Sequence, residues 1–216
     1  MKSRVHRFDG CKGGVMVKKL LMGFAGLLFG AGLLAISAAD SSATYVPFTQ
    51  ITSNSGSIYN FGVDVTDAGG GTVLFKFSYS AGGISEVYFD NRGAILTGFD
   101  SYANSAGVNF SSPATPANLP AGNTLSPPFV SDFSFGATSS ANRVDANGEY
   151  LGLIFIGSYD TVMSGLSSGQ LRIGEHVQSL ANGQSESFAT PIPGALLLFG
   201  SGLVGLVGIG RWKLRK

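Results

Sequence analysis

The sequence predicts an all-β protein: an antiparallel β-sandwich of jelly-roll-like type, flanked by an N-terminal signal helix and a C-terminal transmembrane helix. Three observations carry the prediction. Short alternating or apolar stretches recur through the middle of the chain, separated by clusters of Gly, Asn, Asp, Ser and Pro. Only one stretch there, residues 161–168, suits a helix. Charge falls in three blocks, basic and apolar at both ends and acidic between, although the 216 residues carry a formal charge of only +1.

The first block is residues 1–43. Six basic residues, from Lys2 to Lys18 and Lys19, precede an uncharged run at residues 20–36. Small residues follow. This is the layout of a secretory signal peptide. Signal peptidase accepts small side chains at the −3 and −1 positions, which fits a cut after Ala43 (with Ser41) or after Ala39 (with Ser37). Ala43 is preferred because Thr44 opens a strand-like pattern. The apolar run exceeds the ~7–15 residues of an ordinary signal core, so an uncleaved anchor helix is the alternative. Met16 opens a complete n-region of its own and is an alternative start. Cys11 is the one cysteine. The segment after Ala43 therefore forms no disulfide within the chain.

The second block, residues 44–189, is the predicted sandwich. Residues 72–79 alternate strictly: Val73, Phe75, Phe77 and Tyr79 face one way, Thr72, Leu74, Lys76 and Ser78 the other. Residues 150–156 are continuously apolar and read as a central strand buried on both faces. Further strands are expected at residues 44–51, 57–65, 85–90, 107–110, 130–135 and 171–180. Turns fall at residues 67–71, 81–83 and 90–93, where Gly and Asn accept positive φ. Residues 111–128 carry Pro113, Pro116, Pro120, Pro127 and Pro128, so a long loop outside any ladder is expected. The short helix would take Asp160 as N-cap and end at Gly169.

The third block is residues 190–216. Pro191, Ile192, Pro193 and Gly194 lead into an apolar stretch at residues 195–210. As a helix it spans about 24 Å, slightly short of the ~30 Å hydrocarbon core. Trp212 suits the interface, and the basic cluster Arg211, Lys213, Arg215 and Lys216 would stay cytoplasmic.

This tail resembles the PEP-CTERM sorting signal of exosortase substrates, in the variants built around a Val-Pro-Leu-Pro-Ala-type motif. Ile192 stands where the namesake Glu would be. The resemblance implies a Gram-negative bacterium, general secretory export and signal peptidase cleavage. It further implies transient anchoring in the inner membrane, then processing by an exosortase-type membrane protease. The cell surface or extracellular space is the implied destination, with exopolysaccharide produced nearby. Residues 44–189 are similar to a recurrent ectodomain found ahead of such tails, through residues 84–90, 118–120, 126–129, 147–149 and 171–178. That likeness brings no activity with it.

The chemistry of the middle block narrows its role. Four basic residues stand against eleven acidic ones, a formal −7. Such a surface excludes nucleic acid as a partner. His176 is the one histidine after Ala43, so a Ser-His-Asp arrangement would have to use it. No zinc ligand set, phosphate loop or nucleophile elbow is present. No catalytic residue, metal or cofactor is expected, and the protein is not expected to be an enzyme. Residues 145–149 offer oxygen ligands near a Gly turn, read either as a calcium loop or as a turn held by side-chain hydrogen bonds. Two roles remain: a non-catalytic structural protein of the surface matrix, or a carbohydrate-binding module-like surface protein. The second would use Tyr59, Tyr79, Tyr88, Tyr102 or Tyr159 as stacking platforms. Phe outnumbers Tyr sixteen to seven, and the one Trp lies in the tail, which favours the structural role.

Overall fold

Alternation of apolar and polar residues becomes alternation of buried and exposed side chains in a computed structural model that describes residues 42–191. The expected signal helix at residues 20–36, the apolar stretch at 195–210 and the basic cluster lie outside the described residues. Eleven strands are described: β1 (Thr44–Pro47), β2 (Thr49–Gln50), β3 (Gly62–Gly69), β4 (Thr72–Ser78), β5 (Gly83–Asp90), β6 (Gly98–Tyr102), β7 (Phe110–Ser111), β8 (Phe133–Ala137), β9 (Tyr150–Ile156), β10 (Arg172–Gln178) and β11 (Glu186–Ala189). One α-helix, α1 (Tyr159–Ser168), joins β9 to β10. Among the described residues no helix is long and apolar enough to cross a membrane.

The strands form two sheets, ordered β1-β3-β4-β9-β6 and β2-β11-β10-β5-β8-β7, with every pairing antiparallel. The predicted all-β, sandwich-like class is therefore what the chain adopts. In-sheet connections (the β3–β4 and β10–β11 hairpins and the long β7–β8 loop) are interspersed with connections that pass between the sheets.

Period-2 patterning fills the interior. Val63, Val65, Val73, Phe75, Phe77, Leu151, Leu153 and Phe155 of the first sheet are all fully buried, as are Val87, Phe89, Ile173, Val177 and Phe188 of the second. Rings from the two sheets meet across the layer: Phe75 and Phe89 are 5.2 Å apart edge-on, Phe89 and Phe155 4.7 Å. Phe61 and Phe188 are separated by 4.6 Å. Offset and edge-to-face pairs of this kind add about 0.5–1.5 kcal/mol each beyond area burial.

Several elements differ from the sequence expectation. Residues 44–51 split into β1 and β2, which sit in different sheets. β3 begins at Gly62 rather than residue 57 and continues to Gly69. β6 and β11 lie where no strand was expected. β9 is paired on both edges, as a central strand would be, but its outer face is only partly closed: Gly152 is buried, whereas Ile156 is 47% exposed. The long strand buried on both faces is β5, all eight residues of which are buried, and the short β11 is buried throughout as well. The helix is capped by Ser158, whose hydroxyl accepts from the Thr161 N–H, and Asp160 instead occupies the first turn. Gly169 ends it in the left-handed conformation, as expected.

The proline-rich loop explains the burial of β5. It folds back over the outer face of the second sheet. Leu119, Phe129 and Ala114 pack there against Tyr88 and Ala189. The Tyr88 hydroxyl donates to the Pro116 carbonyl at 3.0 Å. Close approach needs Gly174, where a Cβ would come within 2.7 Å of Leu119 Cδ2. Arg172 fastens the end of the loop. Its Nη1 donates to the Pro127 carbonyl at 2.9 Å, its Nη2 to that of Pro128 at 2.6 Å, and its Nε to Asp90 at 3.1 Å. The Phe129 ring covers the guanidinium at 5.1 Å.

Candidate functional site

His176 lies on the outer face of the second sheet, with Arg172 and Gly174 on its own strand. Its cross-strand neighbours are Glu86 on β5 and Ser187 on β11. His176 Nδ1 is 3.0 Å from Ser187 Oγ. Burial pushes His176 below the usual histidine range, and Arg143 adds to this while Glu186 opposes it. Burial pushes Glu86 up to about 7, with Arg143 pulling the other way. The row has the residue types of a hydrolytic triad but not the access: Ser187 is 1% exposed, which closes its hydroxyl off from a substrate.

The turn at residues 145–149 is held by its own side chain. One Glu149 carboxylate oxygen accepts from the N–H groups of Asp145 and Ala146, both at 2.9 Å. Gly148 supplies the positive φ of 89°. Among the described residues no group of three or more His, Cys, Asp or Glu is placed to hold a metal ion.

The tyrosines nominated as platforms do not gather. Tyr88 is fully buried under the proline-rich loop and is excluded as a stacking surface. The Tyr59 hydroxyl accepts from the Ala181 N–H, and that of Tyr159 lies 2.6 Å from Thr44 Oγ1. Tyr102 is 39% exposed but sits on β6, at the edge of the first sheet opposite β1. Tyr79 lines a small groove on the outer face of that sheet, shared with Tyr45, Asn60, Asp64, Lys76 and Ser80. Tyr45 is 56% exposed. The sequence pattern passed it over because it alternates like any strand residue in β1.

A second, more apolar groove lies where the sandwich begins and ends. It is lined by Thr44, Val46, Pro47, Met163, Leu166, Thr190 and Pro191 among others, with a volume of about 390 Å³. Ala43 is exposed and precedes the first paired residue, Thr44, which registers with Val65. A cut after Ala43 thus leaves β1 whole. Of the residues expected to form a sorting motif only Pro191 is described; Ile192, Pro193 and Gly194 lie outside the described residues, as do Ala39 and the cluster Arg211, Lys213, Arg215 and Lys216. No family model matches the chain, and neither a curated protein nor a solved structure matches it.

Proposed function

We propose that the chain is an exported, exosortase-sorted protein of the cell surface or extracellular matrix, with a non-catalytic structural role beside exopolysaccharide. One observation supports it most: Thr44, which opens β1, and Pro191, two residues beyond the end of β11, line the same groove. A domain whose two ends emerge together can be translocated behind one apolar segment and held by another without strain on its sheets. On this reading the full chain is the sandwich flanked by a signal helix and a transmembrane helix at residues 195–210. Signal peptidase removes residues 1–43. The helix and the basic cluster then stop the chain in the inner membrane. Pro191 and Pro193 cannot extend that helix upstream. They keep the backbone extended at its mouth, where a membrane protease can reach it.

Replacing both Pro191 and Pro193 with alanine lets the helix continue toward the sandwich. The expected outcome, in the producing cell, is untrimmed precursor accumulating in the membrane fraction and loss of the released form, followed by immunoblot. Release of trimmed protein at the wild-type level would contradict the proposal.

A further inference from the structure

On the outer face of the first sheet, register sets three side chains in one cross-strand row: Tyr45 opposite Asp64, and Asp64 opposite Lys76. Each is fixed or left open in a way that suits a ligand. Tyr45 does not wave free at the sheet edge. The end of its ring lies over Gly62, where a Cβ would come within 2.6 Å of Cζ and Oη, so the absent side chain at 62 is what seats the ring. Lys76 is steadied from the far side, its Nζ 4.6 Å from the centre of the Tyr150 ring. The Asp64 carboxylate makes no hydrogen bond or ion pair among the described residues, although directly opposite side chains in a sheet lie only about 5 Å apart at Cβ. The Asn60 amide and the Tyr79 hydroxyl are likewise without a protein partner among the described residues.

We propose that this groove is a binding site for a neutral saccharide. One pyranose ring lies its C–H face against Tyr45 and presents hydroxyls to Asp64, Lys76 and Asn60. The chemistry matches group by group. An aromatic face takes the apolar face of the sugar. The carboxylate accepts from hydroxyls, the ammonium donates to them, and the amide does both. The groove holds about 140 Å³, well below the ~300–1,000 Å³ of drug-sized sites, which suits one ring of a longer chain lying across the sheet. One carboxylate and one ammonium leave the site without net charge. The surrounding domain carries a formal −7, so anionic sugars are repelled. The site names a partner class for the proposed surface role but is independent of the sorting route. Failure of trimming would leave binding intact, and failure of binding would leave trimming intact.

The test uses full-length protein in a detergent without a sugar headgroup, titrated calorimetrically with neutral β-1,4-glucan, α-1,4-glucan and β-1,4-mannan hexasaccharides, and with an oligogalacturonate as the anionic comparison. At least one neutral hexasaccharide is expected to bind. Tyr45→Ala should weaken that binding about tenfold, whereas Tyr45→Phe, which keeps the ring, should stay within about twofold. Asp64→Asn should also weaken it and decides the matter if Tyr45→Ala fails to fold, which circular dichroism reports. Absence of binding to every neutral oligosaccharide, binding of the oligogalacturonate alone, or affinity unchanged in the variants would overturn the proposal.

Discussion

Replacing Glu175 with methionine is expected to stabilise the sandwich by about 3 kcal/mol at pH 7. Glu175 sits on the inner face of β10, between Val87 and Phe188 on the neighbouring strands. It is fully buried, and neither carboxylate oxygen has a hydrogen-bond partner. Burial therefore holds its carboxyl well above the ordinary value of 4.5. A buried polar group without a partner costs about 1–3 kcal/mol. The protonation linkage adds to this. Above pH 4.5 the unfolded chain releases the Glu175 proton while the folded chain keeps it. Stability then falls by about 1.4 kcal/mol per pH unit until the folded-state value is reached. Glu86, pushed up to about 7, acts in the same direction between 4.5 and about 7. His176 acts oppositely: held below 6.5, it costs stability as pH falls through that value. Glu186 also favours higher pH. Burial alone would raise it, but hydrogen bonds from Ser55, Thr52 and Asn54 outweigh burial and lower it. Urea unfolding of a fragment spanning residues 44–189 at pH 5 and pH 7 isolates the Glu175 contribution as the difference between wild type and Glu175→Met. The gain should be larger at pH 7. A variant no more stable than wild type, or a gain that does not grow with pH, would contradict the burial of an unpartnered carboxyl.

Asp90→Ala is expected to destabilise the domain by about 3–5 kcal/mol, the cost of stranding a buried charge. Asp90 is fully buried and Arg172 is 1% exposed. The carboxylate receives Nε and Nη2 of Arg172, Nε of Arg92 and the Val130 N–H. Without it the Arg172 guanidinium keeps only the Pro127 and Pro128 carbonyls and the Phe129 ring. The proline-rich loop should loosen with it. Urea unfolding measures the first effect. Limited proteolysis, with cleavage appearing within residues 111–132, measures the second. A loss under about 1 kcal/mol with an unchanged digestion pattern would show that the loop is held by its apolar contacts alone.

What the sequence revealed divides along physical lines. β4 was legible because its inner face follows strict alternation, β9 because its apolar run is continuous, and α1 because Gly169 marks its end. β6 was hidden: it is an edge strand of five residues with no residue fully buried, so its side chains follow no sharp pattern. β11 was hidden for the opposite reason: Glu186 and Ser187 are polar yet closed in, by contacts made over more than 130 residues with Ser55 and Thr52. The outer face of the second sheet was equally opaque. Charged residues such as Asp90 and Arg172 are rarely buried unless paired, and only the returning loop, distant in sequence, makes the pairing. The groove on the first sheet depends on Tyr45 reaching diagonally to Gly62, a relation that no spacing in the sequence announces. At the two ends composition marks apolar segments beside basic clusters, and those readings lie outside the described residues.

The central claim is that the chain is trimmed at both ends on its way to the surface. Intact-mass measurement of the protein released by the producing cell tests it most directly. The account predicts a species beginning at Thr44 and ending near Pro191, without Trp212. A surface or released species that retains Trp212 would contradict it and make the tail a permanent anchor.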